Sequence, residues 1–519
     1  MKFNRAISPF GLLLAGIGSI IGSGWLFGPL YAAQIAGPAA IISWIVGGLL
    51  MMIIVLTFAE LGTAFPVAGG MVRYAQYSHG PLVSFVTGWM VWISSVAVAP
   101  VETMALIQYT ANYIPNLVTK VNNVTILTSL GILSSAVIMF LMCVLNYQGA
   151  RFFNKSNNLI TIIKLIVPIS TALLLLFADF HHQNFVFTQS GGFAPYGWQG
   201  ILSALPLGGV IYSFIGSSTV LQMAGESKNP HFSIPFALLG SIIFCIVLYV
   251  LLQIAFVGAL EPSTLIQGWK HLSYKGDSGP FAGILVAFGL TWFVVVLYGD
   301  ALISPFGTGF IYTTATARVS YGLSQIGFFP KFFKKLTKKG VPLRGVIVNY
   351  LVGLILFLPF PGWQEMISFI ISCFIVSYIV GPIALIGLRK TNPEQPRPFR
   401  LPCAYFMALL AFYICNLLIF WTGWQTVYHV VITMGIGFVV FIIHCCRLKN
   451  NLLAKQWQNS WWIFPYFIGM CIISYLGNFG GGKGIISFGT DFAVMAVFTI
   501  IMFVLAVKLN TNCKAFKAT

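Results

Sequence analysis

Apolar runs of about 17 residues or more, each long enough to cross a bilayer as a helix, follow one another along almost the whole 519-residue chain. Clusters of Pro, Gly, Asn and charge divide them. The pattern predicts spans near 10 to 33, 38 to 64, 82 to 113, 127 to 147 and 156 to 178. Five more lie near 200 to 223, 234 to 260, 280 to 312, 343 to 360 and 364 to 388. The last four are near 403 to 422, 426 to 446, 461 to 477 and 489 to 508, the final two interrupted by Gly, Tyr and Trp. The expectation is an all-α polytopic membrane protein with about 14 transmembrane helices, about twelve being the alternative.

Two runs depart from this pattern in the same way. The first carries "GIGSIIGSGW", Gly16 to Trp25, where a stable helix favours leucine, and the sixth carries "YSFIGSSTV", Tyr212 to Val220. Glycine in a helix interior costs about 1 kcal/mol and gives up side-chain packing. In hydrocarbon an unpaired amide or carbonyl is expensive, so a broken helix persists only where it faces protein or lines a wet cavity. Gly18 and Gly22 also form a GxxxG spacing, and close helix packing is the competing explanation. The matching tetrads Ile21-Gly22-Ser23-Gly24 and Ile215-Gly216-Ser217-Ser218 favour the cavity. They lie five spans apart, and an odd offset reverses direction, as in an inverted five-plus-five helix repeat. Freed N–H groups attract a carboxylate and freed carbonyls attract an ammonium, so the two breaks together suit an amino acid. Ser19, Ile20, Gly22, Ser23 and Gly24 are the candidate substrate-binding residues of the first break, with Ile215, Gly216 and Ser217 as their inverted counterparts.

Composition narrows the class further. Hydrophobic residues make up 58 % of the chain and charged ones 7 %, too few to cover a soluble surface of this size. With a cytoplasmic amino terminus, only Lys120, Lys270, Lys275 and Lys483 face outward and Lys164 lies within a span. Every other Lys and Arg of the 28 then faces inward, which places both termini in the cytoplasm and the protein in the cell (inner or plasma) membrane. The net charge of +18 follows from that bias, so nucleic acid is not an expected partner. "KFFKKLTKK", Lys331 to Lys339, is a candidate contact for anionic membrane lipid.

The nine cysteines sit mostly within spans, without CxxC spacing or His partners, so neither a disulfide framework nor a metal site is expected. His181-His182 is the only His pair and lacks acidic ligands at metal spacing. The first apolar run is too long for a cleavable signal and has no small-residue cleavage site. No cofactor is implied and no ATP-binding motif is present.

Four stretches carry a resemblance to a known family. They are the Gly22-Ser23-Gly24 break, "FAELGTAFPVAGGMVRYAQYSHGP" from Phe58 to Pro81, "GESKNP" from Gly225 to Pro230, and "ARVSYGLSQIGFFPKFF" after the eighth span. Over about residues 8 to 400 the chain resembles the amino acid, polyamine and organocation transporter superfamily. "VAPVETMALIQY" and "YGDALISPFGTG" are also similar to a bacterial branch described as aspartate-proton symporters. The resemblance implies the sodium-symporter-like fold, with residues 1–400 as a transporter core of two five-helix halves and 401–519 as about four additional helices. It also places an aromatic gate beside the sixth-helix break, where Tyr212 and Phe214 stand.

Intramembrane charges complete the picture. Lys164 lies deep in the fifth span, Glu102 in the third and Asp300 in the eighth, and such groups face a cavity, pair, or carry protons. In proton-coupled members of the resembled family, a fifth-helix lysine fills the space that a cation occupies between the first and eighth helices elsewhere. Lys164 matches that lysine, which makes it the candidate coupling residue. Glu102 and Asp300 are candidates for proton relay, for binding a substrate ammonium, or for structural pairing, and Ser304 and Thr308 for lining the cation region. Glu60 and Glu226, at cytoplasmic span ends, are candidate gating residues.

The expected function is secondary active transport of an amino acid with a proton by alternating access. Exchange of an amino acid for a metabolic product, on the same fold, is the second reading. Paired broken helices argue against a continuous pore. An integral-membrane enzyme would need a cluster of His, Asp or Ser near one interface, and none is apparent, so there are no catalytic candidates.

Overall fold

The computed structural model of the chain describes residues 7–66, 70–121, 124–147, 150–186, 191–224, 227–272, 279–448 and 459–510. The first span is two helices, α1 (Pro9–Ile20) and α2 (Gly24–Ala36). Ser8 caps α1, its hydroxyl accepting from the Gly11 amide at 3.1 Å, and Pro9 follows where no helical N–H is needed. Then come α3 (Ala40–Ala64), α4 (Gly70–His79), α5 (Pro81–Thr110), α6 (Ser129–Asn146) and α7 (Ala150–Phe177). An antiparallel pair, β1 (Val118–Val121) and β2 (Val124–Leu127), with Val118 opposite Leu127, lies between α5 and α6.

The sixth span consists of three pieces, α8 (Gly197–Leu207), α9 (Tyr212–Ile215) and α10 (Ser218–Gln222). After it lie α11 (Pro230–Gly258), α12 (Pro280–Ala287), α13 (Thr291–Gln325), α14 (Leu343–Leu356), α15 (Trp363–Tyr378) and α16 (Val380–Thr391). The last elements are α17 (Ala404–Trp421), α18 (Trp424–Leu448), α19 (Ile463–Leu476) and α20 (Thr490–Lys508).

Among the described residues ten helices are long and apolar enough to span a membrane, Gly24–Ala64 counting as one. The bent pair Gly197–Leu207 and Tyr212–Gln222 makes an eleventh, while Pro9–Ile20, Leu343–Leu356 and Ile463–Leu476 are apolar but shorter. The protein is therefore multi-pass, although helix length alone does not reach fourteen.

Two expectations need correction. The run at 280 to 312 divides at Phe288–Leu290, leaving α12 as a separate short helix and carrying the span on to Gln325. In the sixth span the 50° bend falls before α9, at residues 208–211, where Gly209 takes a φ of +78° that only glycine adopts without strain. The interruption at Gly216-Ser217 is present but smaller.

The first three spans each pack against the span five further on. α1 lies on α10 and α11, α3 runs along α11, and α5 along α13. Such pairing fits two halves related by a pseudo-two-fold axis. α5 is at the centre, with every residue from Leu82 to Tyr109 buried. α6 is peripheral and exposes Leu133, Val137, Phe140 and Leu141, a surface suited to lipid. α17 and α20 pack together beside α16, and α18 lies on α5 and α15. Asn416 joins these outer helices, donating to the Thr499 hydroxyl and accepting from Tyr466, both at 2.9 Å.

Candidate functional site

The two breaks meet. A Cβ at Gly216 would drive into the Ser19 carbonyl, so the backbones can approach this closely only because Gly216 has no side chain. Three carbonyls at the first break find donors from other helices. Lys164 donates to Gly18 O at 3.2 Å, Tyr249 to Ile20 O at 3.3 Å, and Thr308 to Ile21 O at 3.3 Å. At the second break Tyr378 donates to Ile215 O at 3.2 Å. These bonds are what allow irregular backbone to persist inside an apolar bundle.

One small cavity lies between the breaks. Ser19, Ile20 and Gly22 line it from the first, Tyr212, Ile215 and Gly216 from the sixth span, Val98 and Glu102 from α5, and Thr308 and Tyr312 from α13. Its volume, about 10 Å³ as reached by the centre of a water molecule, admits about one water.

Of three buried charges in this region, Glu102 lines the cavity, Lys164 bonds the lining residue Thr308, and Asp300 acts on Lys164. Glu102 accepts from the Ser23 amide at 2.9 Å and from the Tyr212 hydroxyl at 2.7 Å. Lys164, fully buried, also donates to the Thr308 hydroxyl at 2.5 Å, and so ties α7 to both α1 and α13. Asp300 is 1 % exposed; its carboxylate makes no close hydrogen bond among the described residues, and the groups that act on it are the Lys164 ammonium and the Trp25 indole. The Ser304 hydroxyl, one turn further along α13, is likewise buried without a partner. If all three ionise, the trio carries one net negative charge, and a single proton neutralises it.

On the α2 side the cavity is closed by aromatic rings. Trp363 donates from Nε1 to the Ser23 hydroxyl at 3.1 Å, stacks on Tyr31 at 5.5 Å and meets Tyr212 edge-on at 6.1 Å. On the α1 side Thr219 donates to the Ser19 hydroxyl at 3.1 Å.

Of the residues singled out from the sequence, Ser19, Ile20, Gly22, Tyr212, Ile215 and Gly216 line the cavity, as do Glu102 and Thr308. Ser23 meets it through its amide at Glu102, whereas Gly24 packs against Ser213, and the Ser217 hydroxyl is buried without a partner among the described residues. Phe214 turns away, edge-on to Trp44 and Tyr249, and is part of the packed core. Glu60 lies apart, buried and gripped by Arg389 at 2.8 and 2.6 Å and by the Leu401 amide at 2.7 Å. Arg397 approaches it to 3.3 Å. Glu226 lies outside the described residues. Val98, Tyr312, Trp363, Tyr249 and Tyr378 were not expected; an aromatic or valine within an apolar run carries no signal beyond packing.

Residues 7–442 match the amino acid permease family. Among curated relatives, a glutamate/serine transporter, AimA of Bacillus subtilis, is 40 % identical over 99 % of this chain and 96 % of its own. The aspartate-proton symporter of the same organism is 34 % identical over 96 % of this chain and 95 % of its own. Its branched-chain amino acid permease BcaP is 26 % identical over 85 % and 93 %.

Proposed function

Because the chain belongs to the amino acid permease family, we propose that it carries an amino acid together with a proton across the cell membrane by alternating access. Acidic amino acids and serine are the proposed substrates, in keeping with the two relatives that match it end to end. With the termini in the cytoplasm, α2 and Trp363 face outward and form the outer closure. The Glu60–Arg389 pair then lies on the inner side and holds the inner closure, with Glu226 as its expected neighbour.

The observation that carries this reading is the placement of Lys164. Its ammonium bridges the first break and α13, where it does the holding that a bound cation could otherwise do. Loss of its proton takes the charge from those two bonds, which weakens the bridge between α7 and α1 and links protonation to conformation. Asp300 and Ser304 extend the polar column along α13 and form the proposed path by which a proton reaches Lys164. The substrate's carboxylate takes the amides of the first break, and its ammonium takes carbonyls of the second. Residues 1–400 do the transporting, and 401–519 brace them.

The test is uptake into proteoliposomes of labelled glutamate, aspartate, serine and branched-chain amino acids, with and without an inward proton gradient. Concentrative uptake of one of the first three that requires the gradient is expected. Uptake that ignores the gradient and needs internal amino acid would replace symport by exchange.

A further inference from the structure

We infer that the carboxylate of Glu102 is a tethered stand-in for the substrate's carboxylate, occupying the anion position of the first helix break until an amino acid displaces it. The inference rests on the transport reading above and adds a competitor to it. Ser23 offers the first-break amide expected to meet an incoming carboxylate, and in this structure that amide donates to Glu102 Oε2 at 2.9 Å. Oε1 accepts from the Tyr212 hydroxyl of the sixth span at 2.7 Å, and the missing side chain at Gly22 leaves room for it.

Glu102 is 1 % exposed and its carboxylate takes part of the cavity that remains. Two carboxylates cannot share one amide and one hydroxyl in a low-dielectric site without strong repulsion. Substrate therefore enters only as the Glu102 side chain swings off Ser23 and Tyr212, and the freed carboxylate then stands beside the newcomer. Such a device keeps the break's amides satisfied between transport cycles and weakens binding of every amino acid alike.

The sign of one mutational effect separates this from the alternative in which Glu102 holds the substrate. Binding of labelled glutamate and serine is measured on the purified full-length protein in lipid nanodiscs, for wild type, Glu102→Ala and Glu102→Gln. Removing a competing charged hydrogen bond should tighten binding about tenfold or more in Glu102→Ala. Glu102→Gln keeps the shape and the acceptor oxygen but not the charge, so it should tighten binding less, and it gives the answer if the alanine variant does not fold. Acetate, a free copy of the lost group, should compete with the amino acid in Glu102→Ala and not in wild type. Weaker or unchanged binding in the variants overturns the inference while leaving the transport reading intact. If wild type and both variants bind none of the amino acids, the transport reading falls and takes the inference with it.

Discussion

Two groups of buried ionisable side chains lie in different parts of this protein, and their partners differ in kind. Glu60 is held by two arginines and a backbone amide, and the arginines also donate to carbonyls of the same region, Leu401 O for Arg389 and Leu388 O for Arg397. His79, in the short α4, is similar: its ring nitrogens meet the Ser78 hydroxyl at 2.8 Å and Ala506 O at 3.0 Å, which fastens α4 to α20. At the helix breaks, by contrast, Lys164 and Glu102 are held by a freed carbonyl, an amide and a hydroxyl of the proposed binding site. Asp300 makes no close hydrogen bond among the described residues and faces Lys164 and the Trp25 indole. On the proposed function, charges partnered by the fold alone hold it together, and charges that share partners with the site are the ones available to work.

That contrast can be broken in four places. Glu60→Ala leaves two arginines facing a buried void, and a loss of about 3–5 kcal/mol is expected, read as a large drop in thermal stability in detergent. Next, burial pushes the His79 imidazole down to about 4 from its usual 6.5. Its neutral form is favoured on folding, so its contribution is whole above about pH 6.5 and is lost as pH falls toward 4. Up to about 3 kcal/mol should disappear across that window, and His79→Gln should flatten the stability profile there.

At the helix breaks the readout changes from stability to transport. Asp300→Asn removes a buried charge that makes no close hydrogen bond among the described residues, so melting should not worsen, while gradient-driven accumulation should fall about tenfold. A variant that melts early with coupling unchanged would move Asp300 into the structural group. The smallest effect is Tyr378→Phe, which deletes one donor to the Ile215 carbonyl and should cost about 1 kcal/mol of stability.

Much of this was legible in the letters. Gly and Ser in an apolar run are conspicuous, because their cost in a helix demands a reason, so the first break and its neighbours could be read directly. Lys164, Glu102 and Asp300 stood out for the same reason. The main bend of the sixth span lay in Gly208-Gly209, which the matching tetrad at Ile215 overshadowed. What could not be read were partnerships across the fold. Tyr378 meets a carbonyl 163 residues away, and Glu102 meets an amide 79 residues away, and nothing in local pattern encodes either meeting. Phe214 shows the converse: its place beside the break suggested a gate, yet the helix turns its ring into the core.

The central claim is that Lys164 couples the proton to the movement of the two halves. It is tested most directly by comparing wild type and Lys164→Ala in proteoliposomes, measuring accumulation of labelled glutamate or serine under an inward proton gradient and exchange of the same amino acid at equal pH. The account predicts that the variant loses accumulation and keeps exchange. Accumulation in Lys164→Ala that responds to the gradient as wild type does would contradict it.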